Sequence, residues 1–362
     1  MKRNYIVMSS LFLIVLLVFM TGCASNNAPV NTGNQPATPA ATQAKPVIIG
    51  FALGTLKEER WQKDRDFFVS KVTALGGSVN VVSADADKDL QVTQVENLIA
   101  QRVDVIVIVS EDQSLIAPLV EKAHQAGIKV IAYDRLIKNA DVDAYVSFQN
   151  EKVGTLQANR ILQDVSKGNF VYIGGAPTDN NAFQFKKGAM DALSSKIASG
   201  DIKLVYDQFT TDWKPEIAYQ NMKAVLANGT KVDAVIAAND GTASGVIKAL
   251  AEVGLAGKIP VSGQDAELGA CQKIVEGTQT MTVYKPIEPL AEKAAELAMT
   301  LAQGKTPETN GVVNNGKIDV PSYLLEPVMV DKSNMMTTVI KDGFNKYADV
   351  YQNVPVSERP PQ

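Results

Sequence analysis

Short apolar runs alternate with amphipathic segments of helical length along most of the chain. The first run, Val47 to Leu53, leads into a polar stretch with helical spacing, and the rhythm returns after Val79, Val103 and Lys129. Continuous apolar runs are typical of buried parallel strands, and strands that alternate with helices indicate βαβ units. The pattern therefore predicts an α/β protein with a parallel sheet and right-handed crossovers.

The same rhythm restarts at Phe170, with further strands predicted at 202–206, 233–237 and 261–263. Two consecutive sets of similar size predict two Rossmann-like lobes, which suits the length of 362 residues. The polar break at Lys285-Pro286 suggests a crossing between them. We expect a strand at 280–284 and a helix at 286–303 to return to the first lobe.

Polar side chains follow the predicted strands of both lobes. Ligands in open α/β sheets bind beyond the carboxyl ends of the strands, so we expect these residues to converge on a cleft. Taken singly, each Asp or Asn is also a common helix N-cap or turn residue, and that alternative stays open. The candidates are Asp134, Arg135, Asp179, Asn181, Asn239, Asp265 and Lys285.

Two tryptophans suggest the kind of ligand. Arg60-Trp61 follows the first strand, and Trp213 lies between a predicted strand and a helix that Pro215 can begin. A guanidinium offers a rigid fork of donors and an indole offers a broad apolar face, which together suit a hydroxyl-rich ring with C–H faces. We expect the two indoles to clamp a sugar, with two ordinary core aromatics as the alternative.

Composition excludes several classes of function. The net charge of −4 gives no basic field for nucleic acid. With one histidine and no phosphate-binding or nucleophile motif, the sequence predicts no metal, no cofactor and no Ser-His-Asp or Cys-His catalysis. Acidic residues from Asp85 to Glu96 have the spacing of a calcium loop, but Leu90 occupies the glycine position and favours a helix. Paired carboxylates for glycoside hydrolysis stay open.

The N-terminus has the pattern of an export signal. Lys2 and Arg3 precede an apolar run, and residues 1–23 end in Thr21-Gly22-Cys23, which resembles a lipobox. Residues 24–45 are rich in Asn, Ala, Thr, Pro and Gln and predict a disordered tether. We therefore expect an exported protein, held at the outer face of the membrane by lipid on Cys23.

Long stretches of the sequence resemble type I periplasmic sugar-binding proteins of ABC importers. The similarity covers nearly all of residues 46–345, and the most specific stretches are Glu59-Arg60-Trp61-Gln62-Lys63-Asp64-Arg65-Asp66, Ala132-Tyr133-Asp134-Arg135, Asn150-Glu151-Lys152-Val153-Gly154, Asp179-Asn180-Asn181-Ala182, Ser262-Gly263-Gln264-Asp265 and Gly277-Thr278-Gln279-Thr280-Met281-Thr282-Val283-Tyr284-Lys285-Pro286.

The resemblance implies two lobes, joined by three crossings, that close on one sugar. We expect an N-terminal lobe of 47–148 plus 284–318 and a C-terminal lobe of 149–283 plus 319–350. The resemblance assigns sugar hydrogen bonds and stacking to the ten candidate residues, which are Arg60, Trp61, Asp134, Arg135, Asp179, Asn181, Trp213, Asn239, Asp265 and Lys285.

The resemblance also implies a role without catalysis. We expect a monomer that captures a monosaccharide, with D-xylose favoured, and delivers it to an ABC permease. A membrane histidine kinase that reads the closed form is the alternative partner. A sugar-responsive transcriptional repressor shares the ligand domain, but the export signal and the lack of a helix-turn-helix segment argue against it.

Overall fold

The computed structural model describes residues 46–361. The predicted signal peptide with Cys23 and the predicted tether lie outside these residues. Within 46–361, no helix has the length and apolar character needed to cross a membrane.

The first lobe is built on a seven-stranded sheet in the order β10-β11-β5-β4-β3-β1-β2. All neighbours pair in parallel except β10, which is antiparallel to β11. The strands are β1 (Ile48–Leu53), β2 (Ser78–Ser83), β3 (Val105–Val109), β4 (Lys129–Tyr133), β5 (Ala144–Phe148), β10 (Gly311–Asn314) and β11 (Asp319–Leu325).

Helices cover both faces of this sheet, as continuous apolar strands require. On one face, α1 (Glu59–Ala74) and α9 (Ile287–Ala302) pack on alternate residues of β1, β3, β4 and β5. On the other face, α2 (Lys88–Ala100) and α3 (Gln113–Gln125) pack on the intervening residues. The predicted helical reading of the acidic stretch from Asp85 holds, since Asp87 caps α2 by accepting from two backbone N–H groups.

The second lobe has a smaller sheet with helices on both faces. Its three-stranded part has the order β7-β6-β8, and backbone hydrogen bonds through 261–265 connect it to the β9-β12 pair. Its elements are α4 (Asn150–Asp164), β6 (Gly168–Ile173), α5 (Asn180–Ala198), β7 (Ile202–Gln208), α6 (Pro215–Ala227), β8 (Ala234–Ala237), α7 (Asp240–Glu252), α8 (Leu268–Glu276), β9 (Thr282–Tyr284), β12 (Val328–Val330) and α10 (Tyr347–Val350). Short turns occupy Thr211–Trp213, Met336–Ile340 and Val356–Glu358.

Three crossings join the lobes, as expected. They follow β5, β9 and β11. The prediction for 319–350 is wrong at its start, because Asp319–Leu325 pairs in parallel with β5 and belongs to the first lobe. The strand predicted to return to the first lobe instead pairs with β12 in the second, whereas the following helix does pack in the first. The strand predicted at 261–263 is reduced to a single bridge at Val261.

Glycines set the helix crossings that place the second lobe's loops. A methyl group at Gly154 of α4 would lie 1.8 Å from the Phe185 carbonyl oxygen of α5, and one at Gly188 of α5 would lie 1.8 Å from that of Glu151. Only glycine leaves room for two helix backbones this close together. Gly154 and Gly188 therefore allow the N-terminal parts of α4 and α5 to pack against each other. Gly245 of α7 plays the same part against the Pro215 carbonyl oxygen at the start of α6, at 2.1 Å.

Candidate ligand-binding site

One pocket between the lobes is lined by all ten candidate residues. The first lobe supplies four of them from the start of α1 and from the end of β4. The second lobe supplies five from the N-termini of α5 and α7, the turn before α6 and the loop after Val261. Lys285 enters from the crossing after β9.

The Arg60 guanidinium forms the centre of the pocket's charge network. Its Nη2 donates to Asp134 Oδ2 at 2.9 Å, its Nη1 donates to Asp265 Oδ1 at 3.3 Å, and its Nε donates to Asp64 Oδ2 at 3.3 Å. It also lies over the Trp61 ring, 4.1 Å from the centroid. A fork of five donors satisfies all three carboxylates in one fixed orientation, which an ammonium group could not do.

Asp64 binds the Arg60 guanidinium on the side away from the pocket lining, through Nε. It is fully buried one helical turn after Arg60, and its Oδ1 accepts a hydrogen bond from the Tyr133 hydroxyl. Burial raises the pKa of the Asp64 carboxyl to about 6, although Arg60 and the Tyr133 hydroxyl act in the opposite direction. Asp64 does not line the pocket, so its contribution to the site is to orient Arg60.

Asp134 accepts from both lobes. Besides Arg60, it accepts from Asn181 Nδ2 at 3.0 Å through Oδ1, and Lys285 Nζ lies 3.8 Å from its Oδ2. Burial alone would raise its pKa, but the charges of Arg60 and Lys285 outweigh burial and hold the pKa below its usual range. The residue therefore stays an ionised acceptor at neutral pH.

Arg135 also joins the lobes, through an ion pair with Asp179. Its Nε lies 3.1 Å from Asp179 Oδ2, its Nη1 donates to Glu111 Oε2 at 3.0 Å, and its guanidinium is 5.3 Å from the Trp61 centroid. Burial raises the pKa of Asp179, and the Arg135 charge opposes this without cancelling it. Two guanidinium groups thus lie near the Trp61 ring, at 4.1 Å and 5.3 Å from its centroid, where its π-electrons attract their positive charge.

Lys285 and Gln264 complete the polar wall around Asp265. Lys285 Nζ is 3.2 Å from Asp265 Oδ1, and Gln264 Nε2 donates to Asp265 Oδ2 at 3.0 Å. Gln264 belongs to the second lobe and Lys285 to the crossing that follows β9, whereas Arg60 belongs to the first lobe. Asp265 therefore accepts from both sides of the cleft.

Trp213 is seated against a glycine. A methyl group at Gly175 would lie 1.9 Å from the indole Cη2, so the ring rests directly on the backbone after β6. Trp213 and the preceding Asp212 both adopt left-handed backbone, with φ of 56° and 53°. This conformation costs an ordinary residue about 1 kcal/mol, and the surrounding packing holds the indole at the pocket despite that cost.

Two of the seven polar candidates are helix N-caps, as the alternative predicted. Asp179 caps α5 by accepting from Asn181 N at 2.9 Å, and Asn239 caps α7 by accepting from Thr242 N at 2.9 Å. Each also lines the pocket. The two tryptophans are buried, as the alternative of core aromatics predicted, at 4% exposure for Trp61 and 8% for Trp213. Both nevertheless line the same pocket.

Three further pocket residues were not among the candidates. Glu58 immediately precedes α1, Gln264 is adjacent to Asp265, and Phe185 lies one helical turn after Asn181 on the same face of α5. The helical spacing of Phe185 from Asn181 was the available signal for it. Its aromatic ring packs edge-on to Trp213, with centroids 6.2 Å apart.

The arrangement supplies donors and acceptors for a neutral polar ligand. Cations, carboxylates and amides alternate around the wall, and the two indoles add apolar faces. Within residues 46–361, no group of three or more His, Cys, Asp or Glu side chains is placed to hold a metal ion. Hydrogen bonding from charged groups, combined with aromatic faces, is the chemistry of binding a hydroxyl-rich ring.

Comparison with known proteins agrees with this geometry. Residues 49–306 match the family model described as periplasmic binding protein domain. The chain belongs to this family. The binding protein is 50% identical over 313 residues to a D-xylose-binding periplasmic protein of Haemophilus influenzae, which covers 86% of this chain and 94% of that protein. It is also 50% identical over 314 residues to one of Escherichia coli, covering 86% and 95%.

Solved structures show the same fold. An ABC transporter solute binding protein from Clostridium phytofermentans with bound β-D-glucose has 32% identity and a TM-score of 0.78, covering 84% of this chain and 99% of that one. The two-lobed fold predicted from the sequence is therefore confirmed. The relatives are substrate-binding transport proteins, so the protein is a binding protein and not an enzyme.

Proposed function

We propose that the protein captures a monosaccharide, D-xylose in preference to others, between its two lobes and delivers it to an ABC importer. The observation that carries the proposal is the pocket in which Arg60 and Asp134 of one lobe meet Asn181 and Asp265 of the other. The relatives named for D-xylose are half identical to this chain over nearly their whole length, which favours the pentose.

Recognition rests on charged hydrogen-bond partners. Asp134 and Asp265 accept from sugar hydroxyls, and Arg60, Arg135 and Lys285 donate to them. A hydrogen bond to a charged group contributes about 1.5 to 3 kcal/mol, much of which replaces bonds to water. Because each carboxylate already has a cation beside it, the wall needs no change of charge when a neutral sugar binds.

The indoles of Trp61 and Trp213 supply the apolar part of the binding energy. A pyranose presents axial C–H groups on its faces, and burying them against aromatic rings removes apolar surface from water. Trp61 comes from the first lobe and Trp213 from the second, so both faces are covered only when the lobes meet.

Closure then links binding to delivery. A ligand that contacts both lobes realises its full contact energy only in the closed form, and a shift from 1% to 99% closed needs about 5.5 kcal/mol of differential affinity. A membrane permease that recognises the closed form receives the loaded protein selectively.

A thermal-shift series tests the proposed ligand. A ligand at 100 times its Kd stabilises the folded protein by about 2.7 kcal/mol. We expect D-xylose to raise the melting temperature of residues 46–361 at lower concentration than D-glucose, D-ribose or L-arabinose does. Equal shifts with all four sugars would contradict the preference, and no shift with any of them would contradict monosaccharide capture.

We also propose that lipid on Cys23 anchors the exported protein to the outer face of the membrane. The support is the signal-like sequence that ends at this cysteine. Replacement Cys23→Ala in the full chain should abolish incorporation of labelled fatty acid and release the protein from the membrane fraction. Unchanged labelling in that variant would contradict the anchor.

A further inference from the structure

Asn150 is a buried amide that touches the proposed sugar site without lining it. It lies at the first residue of α4, immediately after the crossing that follows β5, and it is 3% exposed. Its Nδ2 donates to Asn181 Oδ1 at 2.9 Å and to Gln184 Oε1 at 3.0 Å. Its own Oδ1 has no hydrogen-bond partner in the described part of the chain, so its NH2 group makes the contacts.

The contact fixes which way the Asn181 amide faces. Since Asn181 Oδ1 accepts from Asn150, its Nδ2 is turned toward Asp134, where it donates to Oδ1 at 3.0 Å and to the backbone oxygen at 3.1 Å. An amide turned the other way would set two oxygens together at Asp134 and two NH2 groups together at Asn150. The pair of contacts therefore selects one of two orientations.

The close crossing of α4 and α5 brings the two amides within hydrogen-bond distance. Gly154 and Gly188 allow α4 and α5 to approach so closely that a methyl group at either position would overlap a backbone oxygen. Asn150 is one turn before Gly154, and Asn181 is at the start of α5, so the crossing brings the two amides into register. The two glycines at the helix interface thus permit the hydrogen bond that orients Asn181, a residue of the pocket.

From this geometry we infer that Asn150 is a positioning residue for sugar binding, which orients the Asn181 amide so that its NH2 group donates to Asp134 and holds that carboxylate in place at the pocket. The inference rests on the proposed function. It assigns a binding role to a residue at the crossing that does not line the proposed sugar pocket.

The relative D-xylose affinities of two Asn150 variants distinguish a positioning role from simple structural support. Asn150→Ala removes the donor and leaves the Asn181 amide free to turn. Asn150→Asp has the same size as the native residue, but its carboxylate attracts the Asn181 NH2 group and turns the oxygen toward Asp134. We expect about a tenfold loss of D-xylose affinity in Asn150→Ala and a larger loss in Asn150→Asp.

The decisive experiment is calorimetric titration of these variants alone and in combination with Asn181→Ala. Once Asn181 lacks its amide, neither change at Asn150 has an amide to orient, so both should lose most of their effect. Additive losses, or a milder loss in Asn150→Asp than in Asn150→Ala, would overturn the inference. Melting temperatures of each variant identify any that fails to fold.

Asn334→Ala serves as the matched control. The Asn334 side chain likewise makes hydrogen bonds within the fold, accepting from Asp331 N at 2.9 Å and donating to the Met329 oxygen at 2.8 Å, but it does not line the pocket. This variant should keep native affinity. If the wild-type protein fails to bind D-xylose, the proposed function fails; if it binds and the cycle is additive, only the role of Asn150 fails.

Discussion

Arg60 of the first lobe donates a hydrogen bond to Asp265 of the second lobe across 3.3 Å. Both side chains are buried, at 4% and 7% exposure, and Lys285 lies 3.2 Å from the same carboxylate oxygen. The carboxylate thus connects the first lobe, the second lobe and a crossing between them. Removal of the Asp265 carboxylate should therefore weaken both the ligand contacts and the lobe closure that depends on them.

Replacement of Asp265 by alanine should weaken D-xylose binding by about tenfold to a hundredfold. The change removes an acceptor and leaves the Arg60 and Lys285 donors buried without that partner, at a cost of about 1 to 3 kcal/mol. Calorimetric titration measures the loss. Asp319→Ala, at an exposed position on β11, is the control and should bind normally. Native affinity in Asp265→Ala would remove Asp265 from the site.

Replacement of Trp213 by alanine should weaken binding by tenfold or more, which corresponds to about 1.4 kcal/mol. One aromatic face of the pocket is lost, and the polar wall is left intact. The control is Phe183→Ala, which removes an aromatic ring of the same lobe that is 45% exposed and does not line the pocket. Equal affinities in the two variants would show that Trp213 does not stack on the ligand.

Replacement of Gly175 by alanine should reproduce much of the Trp213→Ala defect. The new methyl group would occupy the space of the indole Cη2, so Trp213 must move away from the pocket. Gly241→Ala is the matched control, because its nearest neighbours are 3.6 Å away. Titration of both with D-xylose should give a loss of about tenfold for the first and little change for the second. Indistinguishable affinities would contradict the seating of Trp213 on Gly175.

The Asp64 carboxyl should make stability fall with rising pH. Its pKa is about 6 in the folded protein against 3.8 as the ordinary value, so the folded state binds the proton more tightly. The contribution of this bound proton to the free energy of unfolding is fully present below about pH 4 and is lost as the pH rises through about 6. Asp64→Asn removes this dependence.

Denaturant unfolding of both proteins between pH 4 and 7 measures the effect. Relative to Asp64→Asn, the wild-type free energy of unfolding should decline by about 1 to 3 kcal/mol across this range. Parallel profiles would show that the Asp64 pKa is ordinary. A relative increase would show that it is lowered by Arg60.

The alternation of apolar runs and helical segments was sufficient to predict two α/β lobes, because buried parallel strands carry their own local pattern. The ends of those strands also indicated the polar residues that the structure brings together. Asp134, Trp213 and Asp265 share left-handed backbone, a feature that only the folded chain shows. Their assignment to a sugar remains a proposal.

The position of Asp319–Leu325 could not be predicted in the same way. Its partner β5 is more than 170 residues earlier in the chain, and the pairing depends on which lobe has an open sheet edge. Phe185 was missed for a related reason: an aromatic residue inside a helix resembles core until the facing cleft is known. Local patterns specify the elements, whereas pairing and cleft walls depend on contacts between distant residues.

The most direct test of the central claim is a fluorescence titration of residues 46–361 with D-xylose. Both tryptophans line the pocket, so a sugar that binds there should change the intrinsic emission. We predict a saturable change at micromolar or lower D-xylose that is lost in Asp265→Ala. Absence of a saturable change, with calorimetry also showing no binding, would contradict the account of this pocket as a D-xylose site.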